Sequence, residues 1–219
     1  MNYGKLWYTN TKRQMDEGAA MRELNSVEEK ILDRTLYLIG KIGSLNVPIR
    51  AIAKEAGVNV ASINYYFRSK EELINKTKEF YIENVESTIK PLQDETLSDH
   101  EKLHAFCENV MDYCIRFPGI TILSKEARIA EDPDSLFLEI IRVTDEMNEQ
   151  LRSVLLRAYT LRSSEVEVPM TILYASIVHP LERILAEDKK DHFLLDEDKR
   201  SDYINLVLKM INELPKVVL

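Results

Sequence analysis

The chain has 219 residues, 45% of them hydrophobic and 30% charged, with only 6 Gly, 7 Pro and 2 Cys. That length carries a real core, as one all-helical unit or two small domains, while the few turn residues exclude a strand-rich fold and two cysteines exclude a disulfide framework. The net charge of −8 speaks against nucleic acid only as a total: residues 1–85 carry 13 Lys+Arg against 11 Asp+Glu, and residues 86–219 carry 16 against 26, so a mildly basic head precedes an acidic body.

Residues 1–25 lack the apolar run of a signal peptide, and the longest apolar stretch, around Val168 to Val178, is too short to span a bilayer. A soluble cytoplasmic protein with no membrane partner is the expectation. Lys5, Lys12 and Arg13 near Trp7 and Tyr8 read either as an arm along DNA or as a loosely ordered or dimer-packing extension. Ser26-Val27-Glu28-Glu29 then reads as a capping box. Val27, Ile31, Thr35, Leu38 and Ile42 fall on one helical face, and Gly43 closes the helix.

Pro48 marks the next helix start, and Ile49, Ile52, Ala53 and Ala56 keep an apolar face. Gly57 supplies the positive φ of a sharp turn, Val58 tucks into the angle, and Asn59 caps a second helix over about Val60 to Tyr66. That helix buries Ile63 and turns Val60, Ala61, Ser62, Asn64 and Tyr65 outward. Two short helices around a glycine turn, the second slim on its outer face, describe a helix-turn-helix able to enter a major groove roughly 12 Å wide.

Ser69-Lys70-Glu71-Glu72 opens a helix through Leu73, Phe80 and Tyr81 that Pro91 stops. Ser98 with Glu101 opens one ending near Phe117-Pro118-Gly119, and a short helix covers Ile120 to Ala130. Asp132-Pro133 starts a long helix to about Arg162. Ser164 with Glu167 starts the next, to about 187, and Asp196 caps the last, which ends near Leu214-Pro215. With no strand-length alternation, the fold class is all-α: an extension over 1–25, a helix-turn-helix head over 26–70, and a helical body over 71–219 whose residues 71–90 form a linking helix.

One motif competes. His100-Glu101-Lys102-Leu103-His104 matches H-E-x-x-H, which on a helix sets two imidazoles for zinc and a glutamate as general base, the mark of a metallohydrolase. Against it, Glu101 is already the partner of Ser98 in a capping box, His100 lies in a solvated first turn, and no third ligand is evident. The expectation is no metal, no cofactor and no enzymatic activity. Cys107 and Cys114, seven apart, share a face and suit core packing better than redox sensing. His179 beside Pro180 reads as a hydrogen-bonded histidine at a kink, or as a polar group of a pocket.

The segments Ile52-Ala53-Lys54-Glu55-Ala56-Gly57-Val58, Ser62-Ile63-Asn64-Tyr65-Tyr66-Phe67 and Ser69-Lys70-Glu71-Glu72-Leu73 resemble the TetR family of transcriptional regulators, over about residues 27–85. The resemblance implies a dimeric, ligand-responsive repressor of a double-stranded DNA operator. It places Arg50, Asn59, Val60, Ala61, Ser62 and Asn64 toward base edges or phosphates, and Tyr65, Tyr66 and Lys70 on phosphates. Asn64 stands where many relatives have tyrosine, and its amide suits adenine. Val47-Pro48 replaces a common Thr or Ser, leaving Asn46 as the expected helix cap.

The resemblance further implies that the last two long helices, about 164–187 and 197–213, pair with their copies in a homodimer. Met170, Leu173, Ile177 and Ile184 on one, and Tyr203, Leu206, Val207 and Met210 on the other, are the candidate interface; the plainer account is that they close the monomer's own core. Dimerisation would set the recognition helices about 34–36 Å apart. An unidentified small-molecule effector would enter the body, with Phe106, Met111, Tyr113, Phe117, Met147 and Tyr174 as candidate cavity residues, each equally readable as core. It would act through the linking helix by binding two conformations unequally.

Overall fold

The structure, a computed structural model, describes residues 26–187 and 191–214. Residues 1–25, read from the sequence as either an arm along DNA or an extension, and Pro215 lie outside the described residues. Within them the chain is helical: α1 (Val27–Ile42), α2 (Ile49–Ala56), α3 (Val60–Tyr66), α4 (Lys70–Gln93), α5 (Asp99–Arg116), α6 (Gly119–Ile129), α7 (Ser135–Ala158), α8 (Glu167–Ile177), α9 (His179–Ala186) and α10 (Glu197–Asn212), with short 3₁₀ turns at Ser163–Glu165 and Phe193–Leu195. Helices α1–α3 form the head. Helix α4 packs on α1 at one end and along α5 and α7 for the rest, α6 bridges α1 and α7, and α8 to α10 close the body against α5.

Local capping sets most helix starts. Ser26, Asn59, Ser69, Ser98 and Asp196 each accept a backbone N–H three residues on, satisfying amides the first turn leaves orphaned. Four boundaries differ from the sequence reading. Helix α2 has no side-chain cap; Asn46 instead accepts from the Lys70 ammonium. Helix α4 continues through Pro91 to Gln93, since a proline in the last turn forfeits one hydrogen bond while Ile89 and Leu92 on that turn are buried. Helix α7 is capped by Asp134, which accepts from the Phe137 amide at 2.8 Å, rather than by Asp132, and ends at Ala158. At 162–165 the Glu165 carboxylate takes the Arg162 amide at 2.7 Å and its guanidinium at 2.6 Å, making a 3₁₀ turn where a helix start at Ser164 was expected.

The expected helix over 164–187 is two helices, α8 and α9, broken at Val178. Pro180 has no N–H to donate back along the helix, so the ladder is interrupted, and the Val178 carbonyl accepts from Leu181 and Glu182 to start the next one. His179 projects to solvent with its side chain 77% exposed, 3.7 Å from Glu182, so it is no pocket group. The buried stripe of α1 is Ile31, Leu32, Thr35, Leu36 and Ile39, with the Thr35 hydroxyl returned to the Ile31 carbonyl at 2.7 Å. Val27 and Ile42, expected on that face, lie at the helix ends and are exposed.

Candidate nucleic-acid interface

Helix α2 ends because Gly57 adopts φ 67°, which directs its own N–H to Lys54 O at 3.3 Å and the Val58 N–H to Ala53 O at 3.0 Å. Asn59 then opens α3: its Oδ1 accepts from the Ser62 amide at 2.7 Å and the Ser62 hydroxyl at 3.1 Å. Val47, Ile52, Ala53, Ala56, Ile63 and Phe67 are buried beneath the pair and lock the angle between α2 and α3. One face of α3 is thus spent on the head's core.

The other face is free. Val60, Ala61, Asn64 and Tyr65 are exposed, as the sequence places them, whereas Ser62, also expected outward, is half-buried; Tyr65 reaches 82% exposure. Tyr66 is half-buried, packed against the core and edge-on to Tyr65 at 5.2 Å between centroids. Arg50 is exposed at the start of α2. Lys70 is half-buried and held by Asn46, 24 residues away in sequence. The tip is therefore a narrow helix carrying small, amide and phenol side chains, with a guanidinium, Arg50, ahead of it in the chain and an ammonium, Lys70, after it. It can donate and accept along base edges and offer cations to phosphates. Sequence reasoning passed over Asn46 as the anchor of Lys70, and over Lys54 and Arg68, exposed cations on the same head. A count of cations along the segment would have found the latter two.

The six candidate effector residues all lie in the body, and the one contact between them that is closely defined is Tyr113 with Phe117. Phe106, Met111 and Phe117 are buried, Tyr113 lies 4.8 Å from Phe117 between ring centroids, and Met147 and Tyr174 are partly buried against the same core. Polar atoms run through it: Tyr81 Oη is 3.5 Å from Thr144 Oγ1, Tyr174 Oη donates to Asn148 at 2.5 Å, and the buried Tyr113 Oη has no hydrogen-bond partner. Burial pushes all three phenols upward, so each keeps its proton. Cys107 and Cys114 are core residues as expected, with burial raising both thiols, Cys114 to about 12. A separate groove of about 590 Å³ runs between head and body past Asn46, Lys70 and Lys78; none of the six residues lines it.

Of the eight candidate interface residues, Met170, Leu173, Ile177, Ile184 and Val207 are buried within the chain's own core. Tyr203 is half-buried and donates to Ser176 O at 2.9 Å. Leu206 and Met210 stay 56% and 54% exposed, and exposed Phe193, which sequence reasoning did not include, packs on Tyr203 at 5.8 Å.

The H-E-x-x-H residues do other work. Glu101 Oε2 takes the Ser98 amide at 2.8 Å and its hydroxyl at 2.6 Å, which holds its carboxyl below the usual range. His100 sits edge-on to Tyr159, and His104 is placed between Glu108 at 3.5 Å and Ser201 at 3.2 Å. Among the described residues no three His, Cys, Asp or Glu side chains are grouped to hold a metal ion, and no helix is long and apolar enough to cross a membrane.

Comparison with known proteins falls on the same surface. The family model described as "Bacterial regulatory proteins, tetR family" matches residues 31–77. The chain is 32% identical over 92 residues to the probable HTH-type transcriptional regulator YttP of Bacillus subtilis, an alignment covering 40% of this chain and 44% of that protein. It thus spans less than half the length of the curated relatives it first matches. Its fold is similar to the ketosteroid transcriptional regulator KstR2 of Mycobacterium tuberculosis, with TM-score 0.65 and 18% identity over 86% of this chain and 96% of that one. It is also similar to the transcriptional regulator FadR of Bacillus subtilis, solved with stearoyl-CoA, with TM-score 0.54 and 18% identity over 84% and 97%.

Proposed function

We propose, on the premise that residues 31–77 belong to the tetR family of bacterial regulatory proteins, that the chain is a dimeric DNA-binding transcriptional regulator released from its operator by a small molecule. The observation that carries this is the division of α3. Ile63 is consumed by the head's core while Val60, Ala61, Asn64 and Tyr65 stand clear of it, with Arg50 preceding them and Lys70 following them in the chain. Head (26–70) and body (71–219) share the labour: the head reads duplex DNA, and the body holds the effector and the second copy.

Two proteins of similar fold support the effector half: one is a ketosteroid transcriptional regulator, and the other was solved with stearoyl-CoA. In this chain the effector would lie among Phe106, Met111, Tyr113, Phe117, Met147 and Tyr174, where phenol hydroxyls sit in an apolar setting. The second copy would meet Leu206, Met210, Tyr203 and Phe193, the apolar side chains of α10 and its approach that remain at the surface. No step of this reading breaks or makes a covalent bond.

The direct test is selection of duplexes from a random library, followed by binding titration against salt. The wild-type chain should enrich one two-fold sequence, with affinity falling steeply as salt rises. Arg50→Ala should weaken binding by about 1–3 kcal/mol if it reaches a base edge, with helicity unchanged. An affinity for the enriched duplex unmoved by Arg50→Ala removes that residue's role; no enrichment at all removes the proposal.

A further inference from the structure

The head meets the body at a crossing with almost no side chain between the backbones. A Cβ built on Gly40 of α1 would fall well inside 3.0 Å of the Pro118 carbonyl carbon and the Gly119 amide nitrogen. A Cβ on Gly119, at the start of α6, would strike the Leu36 carbonyl oxygen and lie 3.0 Å from Ile39 Cβ and 3.1 Å from the Gly40 nitrogen. Backbone atoms cannot rotate aside as a flexible side chain would, so either substitution forces the two elements apart.

Two turns earlier on the same face of α1, Asp33 is 2% exposed. It accepts from Arg116 Nε at 3.1 Å and Nη2 at 2.9 Å, and from the neighbouring Arg34 Nε at 2.6 Å. Arg116 ends α5, and Gly119 begins α6 three residues later. Helix α1 is thus fastened to the α5–α6 corner twice, once by charge-assisted hydrogen bonds and once by steric fit. Helix α1 also packs against α2, so the direction of α1 sets the direction of the helix-turn-helix.

We infer that Gly40, Gly119 and the Asp33–Arg116 pair are positioning residues that fix the angle at which the head projects from the body. This rests on the DNA-binding reading above. In a two-headed protein the angle sets the separation of the two α3 surfaces, and hence which half-site spacing both can engage together. The gain from joining two binding modules, roughly 10²–10⁴-fold, vanishes when geometry forbids simultaneous contact.

The test uses the full chain and duplexes enriched by the wild type. Gly40→Ala and Arg116→Gln are titrated against the full site, one half-site alone, and full sites respaced by one and by two base pairs. For both variants half-site affinity should stay within about twofold of wild type, while full-site affinity drops roughly 10–100-fold and the spacing optimum moves or broadens. Should Gly40→Ala lose its helical circular dichroism, Arg116→Gln decides alone. Equal losses on half-site and full site would show a merely structural role and overturn the inference, as would wild-type affinity and spacing preference. A wild-type chain that enriches no duplex sinks the DNA-binding reading itself, a failure visible before any variant is made.

Discussion

At the entrance of α3 one amide oxygen serves two donors of a single neighbour. Asn59 Oδ1 accepts both the backbone N–H and the hydroxyl of Ser62, so the Ser62 proton is already engaged within the protein. What remains for a duplex is the Asn59 amino group and the Ser62 lone pairs, a donor and an acceptor side by side. Asn59→Ala should cost about 1 kcal/mol of stability through the lost cap. In a chain of this length that is roughly 2–4 °C in a thermal melt, and Asn59→Asp should retain most of it. A melt unchanged by Asn59→Ala would show that the cap contributes nothing. Such caps were legible because donor and acceptor lie three residues apart. Asn46 was not, because its partner Lys70 is 24 residues away and only the folded head brings them together.

Among the elements, the seam between α5 and α10 carries a titratable pair. His104 faces Glu108 on its own helix and Ser201 on α10, with Arg200 and Asp112 paired alongside and Glu197 nearby. The hydrogen bond with Glu108 raises His104 above its ordinary 6.5, and the same bond lowers Glu108 below its ordinary 4.5. The sign follows from each partner. The His104 contribution is complete below pH 6.5 and is lost as pH rises through its raised value; the Glu108 contribution is complete above pH 4.5 and is lost as pH falls through its lowered value. Stability from the pair is therefore greatest between those limits and declines toward alkaline pH, by a fraction of a kcal/mol at most because Glu108 is partly solvated. Melts of wild type and His104→Gln across neutral pH check this: the variant should lack the alkaline decline, and identical pH profiles would refute it. Element boundaries were less legible than element existence. The break at Val178 depends on Pro180, visible in the sequence, but the shift of the α7 cap from Asp132 to Asp134 depends on Lys78, which binds Asp134 from another helix.

For the whole molecule, apolar periodicity marked which faces are buried but not by what. Met170, Leu173, Ile177, Ile184 and Val207 read equally well as interface or as core, and the chain's own fold covers them. Leu206 and Met210, on the same helical pattern, are left in solvent. If the proposed dimer forms through this face, Leu206→Glu with Met210→Glu should turn it into a monomer in sedimentation or light scattering with helicity intact, whereas Leu173→Glu should unfold the body. A double variant that remains dimeric would place the interface elsewhere. The head was legible almost residue by residue because its motif is local and dense; the body was legible only as helices, because what its buried side chains and outer faces do depends on contacts distant in sequence.

Helix α4 begins at Lys70, and its first turns do not belong to the body alone. Leu73 is fully buried, the Thr77 hydroxyl is folded back on the Leu73 carbonyl at 2.8 Å, and this end of the helix packs on α1. A cut at residue 70 would remove the floor from the head's own core, so the fragment 26–70 excised by itself would be a recognition surface without a foundation. Reading and support are divided at that point; folding is not.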